Sequence, residues 1–216
     1  MKICGVEEAG RGPVIGPLVM CGLLIEDSKE AELKRIGAKD SKLLSPKQRE
    51  KLYGKIIDMA EKYKIVILQP HKIDSAVFAK TLNLNGLEAE TSADIINELK
   101  PDIVYIDCPS PNITAYTRKL QGLMKGKVKI IAEHKADVNY PVVSAASIIA
   151  KVTRDREIEK LKAEIGIDFG SGYPADPVTK EFLKIYHGKF PKLFRKSWAP
   201  FKKEIISKKQ STLEKW

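Results

Sequence analysis

The chain has 216 residues, 43% apolar and 31% charged, which suits one domain with an appendage and a real core. Its longest apolar run, Gly16–Ile25, is too short to cross a bilayer and follows no signal-peptide pattern, so a cytoplasmic protein with no membrane association is expected. Three cysteines without a CxxC pair and three scattered histidines disfavour a disulfide scaffold and a zinc centre. Lys and Arg outnumber Asp and Glu by 38 to 28, and eleven of the basic residues against four acids lie beyond residue 170. A basic end on a nearly balanced body fits a surface for a polyanion, and equally a Lys-rich solubilising face.

In chain order, Lys2–Glu8 reads as a strand and Gly16–Ile25 as a second, joined through the turn Ala9-Gly10-Arg11-Gly12-Pro13. Ser41–Pro46 is a loop, with Pro46 set to start a helix over Lys47–Tyr63. Lys64–Leu68 is β-branched and short, a strand. Helices are predicted over Ser75–Leu82 and Leu87–Leu99, then a buried strand over Asp102–Asp107. A helix over Thr114–Met124 and a strand over Val128–Ala132 follow, then a polar loop, Glu133–Asp137. Pro141–Ile165 is a long helix with an apolar side, and Gly166–Pro177 a Gly/Pro loop. Asp176–Tyr186 and Pro200–Ser207 are two further helices, and 208–216 a polar tail. The pattern is α/β: a central mixed sheet flanked by helices, with a small helical C-terminal extension. The expected division is a main α/β domain over 1–170, a basic helical part over 171–207 and a flexible tail over 208–216. Without a heptad or an obvious apolar interface patch, a monomer is expected.

Carboxylates fall where strands stop. Glu7 and Glu8 close the first strand, Asp107 closes the Asp102–Asp107 strand, and Asp137 follows the next. Strand ends form the ligand crevice of α/β sheets, and four converging acids would need a cation; all-oxygen donors suit Mg²⁺ or Mn²⁺. Two such ions would activate water and stabilise the leaving oxygen of a phosphodiester. Each acid also has an ordinary use: Asp137 as a cap, Asp107 in an Asx-turn, Glu8 on the surface. Neighbouring strand residues face opposite ways, so Glu7 and Glu8 cannot both aim inward from one regular strand. Gly10-Arg11-Gly12 allows close backbone approach and offers a guanidinium for a phosphate. Ser41 and Lys42 offer a hydroxyl and an ammonium. Tyr173, in Gly170-Ser171-Gly172-Tyr173-Pro174, could stack on a sugar or base or pack in the core. Arg195-Lys196-Ser197-Trp198 fits backbone binding or an anchored Trp.

Six segments in order resemble the ribonuclease HII family of archaeal type: Gly5–Pro13, Asp40–Lys42, Tyr105–Asp107, His134–Asp137, Pro141–Lys151 and Gly170–Pro174. The resemblance implies a ribonuclease H-like fold and endonucleolytic cleavage of RNA in RNA–DNA hybrids. It also implies cutting 5′ of single ribonucleotides in duplex DNA, leaving 3′-hydroxyl and 5′-phosphate ends. Glu7, Glu8, Asp107 and Asp137 would be the catalytic, metal-binding acids for two divalent ions. Gly10, Arg11 and Gly12 would sense the ribose 2′-hydroxyl, Tyr173 would stack on the following deoxyribose, and Ser41, Lys42 and Lys196 would hold phosphates. The family pattern has Asp where this chain has Glu7, one methylene longer by roughly 1.5 Å. Reduced activity, with manganese tolerated better than magnesium, is therefore expected.

The tail Gln210-Ser211-Thr212-Leu213-Glu214-Lys215-Trp216 is similar to a sliding-clamp-binding box, in which Gln210, Leu213 and Trp216 would be the contacts. Three other readings compete with the one the family resemblance implies: a catalytically impaired hybrid-binding protein on the same fold, a basic RNA-binding accessory domain, and a different nuclease on this fold.

Overall fold

The structure, a computed structural model, describes residues 1–38, 43–79 and 81–213, the last seven as backbone. Five strands form one sheet in the order β3-β2-β1-β4-β5. The hairpin β1 (Lys2–Ala9) and β2 (Leu18–Glu26) is antiparallel, and β3 (Lys62–Leu68) adds antiparallel to β2. On the other side, β4 (Ile103–Asp107) and β5 (Lys129–Glu133) add parallel, both reached through helical crossovers. The mixed sheet expected from the sequence is therefore present. The second strand starts at Leu18 rather than Gly16, because Gly16 takes φ +83° and Pro17 has no N–H for a ladder.

The period of two in β1 sorts its side chains. Ile3 and Ala9 enter one core with α7 (Pro141–Ile165), while Cys4 and Val6 enter the other with α4 (Leu84–Leu99) and α5 (Ile113–Leu123). The α7 face also holds α1 (Glu30–Arg35) and α2 (Pro46–Met59), through Leu33, Leu52 and Ile56. Helix α7 lies unusually close to the sheet. A Cβ on Gly5 would sit 2.4 Å from the Val142 carbonyl oxygen. On the opposite face, a Cβ on Gly22 would sit 2.2 Å from Ile95 Cγ2. These two glycines set how near each helical layer approaches.

Boundaries shift where capping overrides periodicity. α2 starts at Pro46 behind a Ser45–Gln48 capping box. α3 covers Pro70–Phe78 rather than Ser75–Leu82, because Pro70 stands at a first-turn position after Gln69. α4 begins at Leu84 rather than Leu87, its Asn83 side chain accepting from the Gly86 N–H. α1, with one buried apolar residue, was not expected. Its acids in the first turn and bases in the last complement the helix dipole.

A third core joins the arm that leaves the glycine turn to the C-terminal part. Val14 and Ile15 pack with Phe169, Phe182, Phe194 and Phe201, and Ile15 bridges to Phe194. α8 (Pro177–Tyr186) and α9 (Ala199–Leu213) carry this part, and α9 continues past Ser207. All three cysteines are free and buried. Burial pushes the Cys4 thiol up to about 12. Among the described residues, no helix is long and apolar enough to cross a membrane.

Candidate active site

The parallel pair β1–β4 registers Gly5 with Tyr105 and Val6 with Ile106, so one further step sets Glu7 beside Asp107 at the strand ends. Both have odd numbers in register and face α7. Asp137 arrives from α6 (Ala136–Asn139), a one-turn helix where the sequence suggested only a polar loop. Tyr140 Oη and Asn139 Nδ2 both donate to the Glu133 carboxylate, which fastens this turn to the end of β5. Carboxylate oxygens of Glu7, Asp107 and Asp137 then lie within 4.8 Å of one another.

The group fits a hard divalent ion. Ligand oxygens of an octahedral ion with bonds near 2.1 Å stand roughly 3 to 4 Å apart. Glu7 and Asp137 are 7% and 2% exposed, so a cation would offset the cost of bringing like charges out of water together. Neither His nor Cys belongs to the group. Glu8 lies outside it. The same alternation turns its side chain toward the other face, where its charge is felt by Cys108 and Tyr116. Its backbone N–H donates to the Glu7 carboxylate. The four-acid convergence suggested by sequence is thus a three-acid group with Glu8 beside it.

Lys135 was missed by sequence reasoning. It adopts φ 60°, ψ 37°, rare for a residue with a Cβ, and its N–H donates to Asp107 Oδ1 at 2.9 Å. The left-handed residue both starts α6 and orients Asp107. It lies inside the His134–Asp137 segment, but nothing there signals its conformation, because lysine has no preference for it.

The glycine turn lies next to the acids. Gly10 has φ +85°, and a Cβ there would meet Arg154 Nε at 2.2 Å. Arg154 is 2% exposed, donates to the Ser171 carbonyl and stands 5.2 Å from the Tyr173 ring centre. The turn's carbonyls are bound by the C-terminal segment. Arg195 donates to Gly10, Arg11 and Gly16, and Trp198 Nε1 to Gly12. Arg195 is fully buried; desolvation, with Arg154 nearby, lowers its guanidinium to about 9. Asp74 of α3 accepts from Lys196 N–H, Ser197 N–H and Ser197 Oγ. The motif Arg195–Trp198 is therefore an internal clamp, apart from the Lys196 side chain, which is exposed.

The Arg11 side chain is engaged as well. Its Nε donates to Glu88 at 2.9 Å and its Nη2 to Asn85 at 2.7 Å, both from α4. Burial pushes the Glu88 carboxyl up to about 7 against the pull of Arg11. Tyr173 is 39% exposed, and its ring lies 3.6 Å from where a Gly12 Cβ would be. Gly172 accepts from Val14 and Ile15 N–H, which ties the Tyr173 loop to the turn. Ser41, Lys42 and Trp216 lie outside the described residues, and Gln210 and Leu213 are placed on α9 by backbone alone.

A mixed five-stranded sheet with helices on both faces and acids at adjacent strand ends defines the ribonuclease H class, hydrolases that work with divalent metal ions. The family profile for ribonuclease HII matches residues 4–201. Ribonuclease HII of Pyrococcus abyssi is 46% identical over 221 residues, which covers 99% of this chain and 96% of that one. The crystal structure of the ribonuclease H2 from Pyrococcus horikoshii OT3 superposes with a TM-score of 0.88 at 46% identity, over 96% and 98% of the two chains. The ribonuclease HII in the PCNA:RNase HII complex from Archaeoglobus fulgidus superposes with a TM-score of 0.78 at 44% identity, over 85% and 86%. The chain belongs to the ribonuclease HII family, endoribonucleases that cleave RNA in RNA–DNA hybrids.

Proposed function

We propose that this chain cuts the RNA strand of RNA–DNA hybrids and cuts 5′ of single ribonucleotides in duplex DNA, leaving 3′-hydroxyl and 5′-phosphate ends. The observation that carries the reading is the combination of two things: three carboxylates brought together, two at strand ends and one on α6, and a glycine turn that begins three residues after Glu7 and is bordered by an exposed tyrosine. Glu7, Asp107 and Asp137 would hold a divalent ion, with Glu8 flanking a second. When bound there, Mg²⁺ or Mn²⁺ would supply the charge that activates water and stabilises the leaving 3′ oxygen.

The chain's own groups choose the bond. The ribose 2′-hydroxyl is the feature that separates RNA from DNA, and only backbone donors can approach it closely where no Cβ intervenes. Gly10, Arg11 and Gly12 provide that approach. Tyr173, across from Gly12, would stack on the next deoxyribose and so favour an RNA-to-DNA junction. Ser41, Lys42 and Lys196 would hold flanking phosphates. Glu88 and Asn85 fix the Arg11 side chain, so its backbone rather than its guanidinium meets the sugar.

Glu7 makes the site longer by one methylene than the family's Asp. Misplacement near 1 Å can cost on the order of 10²-fold in rate. A duplex with one ribonucleotide and its all-DNA counterpart, each with Mg²⁺ and with Mn²⁺, test the reading. The expected result is cleavage of the first only, slow in Mg²⁺, faster in Mn²⁺ and faster still for Glu7→Asp. No cleavage in either metal, restored by Glu7→Asp, would instead favour an impaired hybrid-binding protein. The tail is proposed to bind a sliding clamp through Gln210, Leu213 and Trp216, supported by the clamp in the Archaeoglobus fulgidus complex.

A further inference from the structure

We infer that Arg195 is a positioning residue for ribose recognition: its buried guanidinium turns the glycine turn so that the Arg11 and Gly12 N–H groups face the substrate. The inference rests on the reading of that turn given above.

A trans peptide is planar, and its C=O and N–H point in opposite directions. The chain has no cis peptide. Arg195 Nη2 binds the Gly10 carbonyl at 2.7 Å and Nη1 binds the Arg11 carbonyl at 3.0 Å. Each inward carbonyl fixes the N–H of the next residue outward. The outward pair is therefore Arg11 N–H and Gly12 N–H, and Pro13, with no N–H, ends the series. Successive outward N–H groups form a concave donor pair for an oxygen ligand. Tyr173 borders that pair at Gly12.

The chemistry calls for arginine. Its third donor, Nε, reaches the Gly16 carbonyl at 3.0 Å, so one rigid fork joins both arms of the turn. Lysine could not span three carbonyls in fixed directions. The positive charge behind the peptides also polarises them, which strengthens the outward N–H groups as donors. Arg195 is itself held: its N–H donates to Val14, its guanidinium lies 5.0 Å from the Trp198 ring centre, and Asp74 secures the next two amides. Burial weakens the guanidinium's hold on its proton, a cost consistent with retention for geometry.

The test uses the full chain as Arg195→Lys and, as a milder probe that keeps the guanidinium, Trp198→Phe, which removes the indole bond to the Gly12 carbonyl and shrinks the ring that lies against Arg195. Single-turnover rate and affinity are measured on duplexes carrying one ribonucleotide or one 2′-deoxynucleotide, and Mn²⁺ affinity is measured separately without nucleic acid. The expected result is a drop of about 10-fold or more in the ribo-over-deoxy preference for Arg195→Lys, a smaller drop for Trp198→Phe, and unchanged Mn²⁺ affinity in both. A purely structural role would lower thermal stability and leave the preference of the folded protein intact, and that result would overturn the inference. Should Arg195→Lys not fold, an unchanged preference in Trp198→Phe overturns it alone. A wild-type chain with no ribo preference would sink the proposed function instead, so the two failures are distinct.

Discussion

Gly5→Ala probes how the sheet places the acids. The added Cβ would lie 2.4 Å from the Val142 carbonyl oxygen, 2.5 Å from its carbon and 2.6 Å from the Val143 nitrogen. Ordinary contact begins near 3.4 Å, so α7 must retreat by about 1 Å, and a helix backbone has no rotamer with which to yield. Overpacking of this kind costs about 1–3 kcal/mol, or roughly 2–12 °C in Tm for a chain of this size. The displaced peptide follows Asp137 by five residues, and Tyr140 links α6 to α7 through its carbonyl. A shift near 1 Å there should cost on the order of 10²-fold in cleavage rate and weaken Mn²⁺ binding. Gly22→Ala is the control. Its Cβ meets Ile95 Cγ2 at 2.2 Å and Leu99 Cδ1 at 2.9 Å, side-chain ends on the face away from the acids. It should lower Tm yet leave folded protein with near-wild-type rate. Melting curves, single-ribonucleotide cleavage and Mn²⁺ titration on the three proteins decide the matter. Wild-type rate and metal affinity in Gly5→Ala, or an equal activity loss in Gly22→Ala, would refute the reasoning.

Lys135→Gly should preserve cleavage and raise stability by up to about 1 kcal/mol, since glycine takes the left-handed conformation freely. Lys135→Val should lose activity and Mn²⁺ affinity together; equal behaviour of the two variants in calorimetric titration would contradict the orienting role. For Glu88, the folded carboxyl at about 7 holds its proton more tightly than the unfolded group at 4.5. Its contribution to stability is thus fully present below pH 4.5 and lost as pH rises through about 7. Wild type should therefore lose stability relative to Glu88→Gln over that interval, and a Tm difference flat with pH would rule this out. Deleting residues 209–216 should leave cleavage intact and abolish clamp binding; unchanged clamp affinity by surface plasmon resonance would remove the clamp proposal.

Some of this protein was legible from its residues alone. The five strands are short, largely apolar runs, and each stopped near its expected place because the signal is local. Glu7, Asp107 and Asp137 could be picked out for the same reason: acids at or just after the ends of apolar strands are conspicuous. Helix starts at Pro70 and Asn83 were misjudged because capping residues outweighed the apolar period. Arg195-Lys196-Ser197-Trp198 stood out as a motif, but its chemistry was open between substrate contact and anchor.

The tertiary structure decided what no linear pattern encodes. Register between β1 and β4 brought Glu7 to Asp107, and alternation sent Glu8 to the other face. A chain separation of 185 residues closed when Arg195 bound the Gly10 carbonyl, which turned a cation that sequence left free to meet solvent into a buried brace. Lys135 entered a conformation its side chain does not favour because the link between β5 and α6 demands it. Local propensity acts over a few residues, and so composition and period report it. Orientation of a carboxylate or a carbonyl depends on which distant group fills the space beside it, and only the folded packing fixes that.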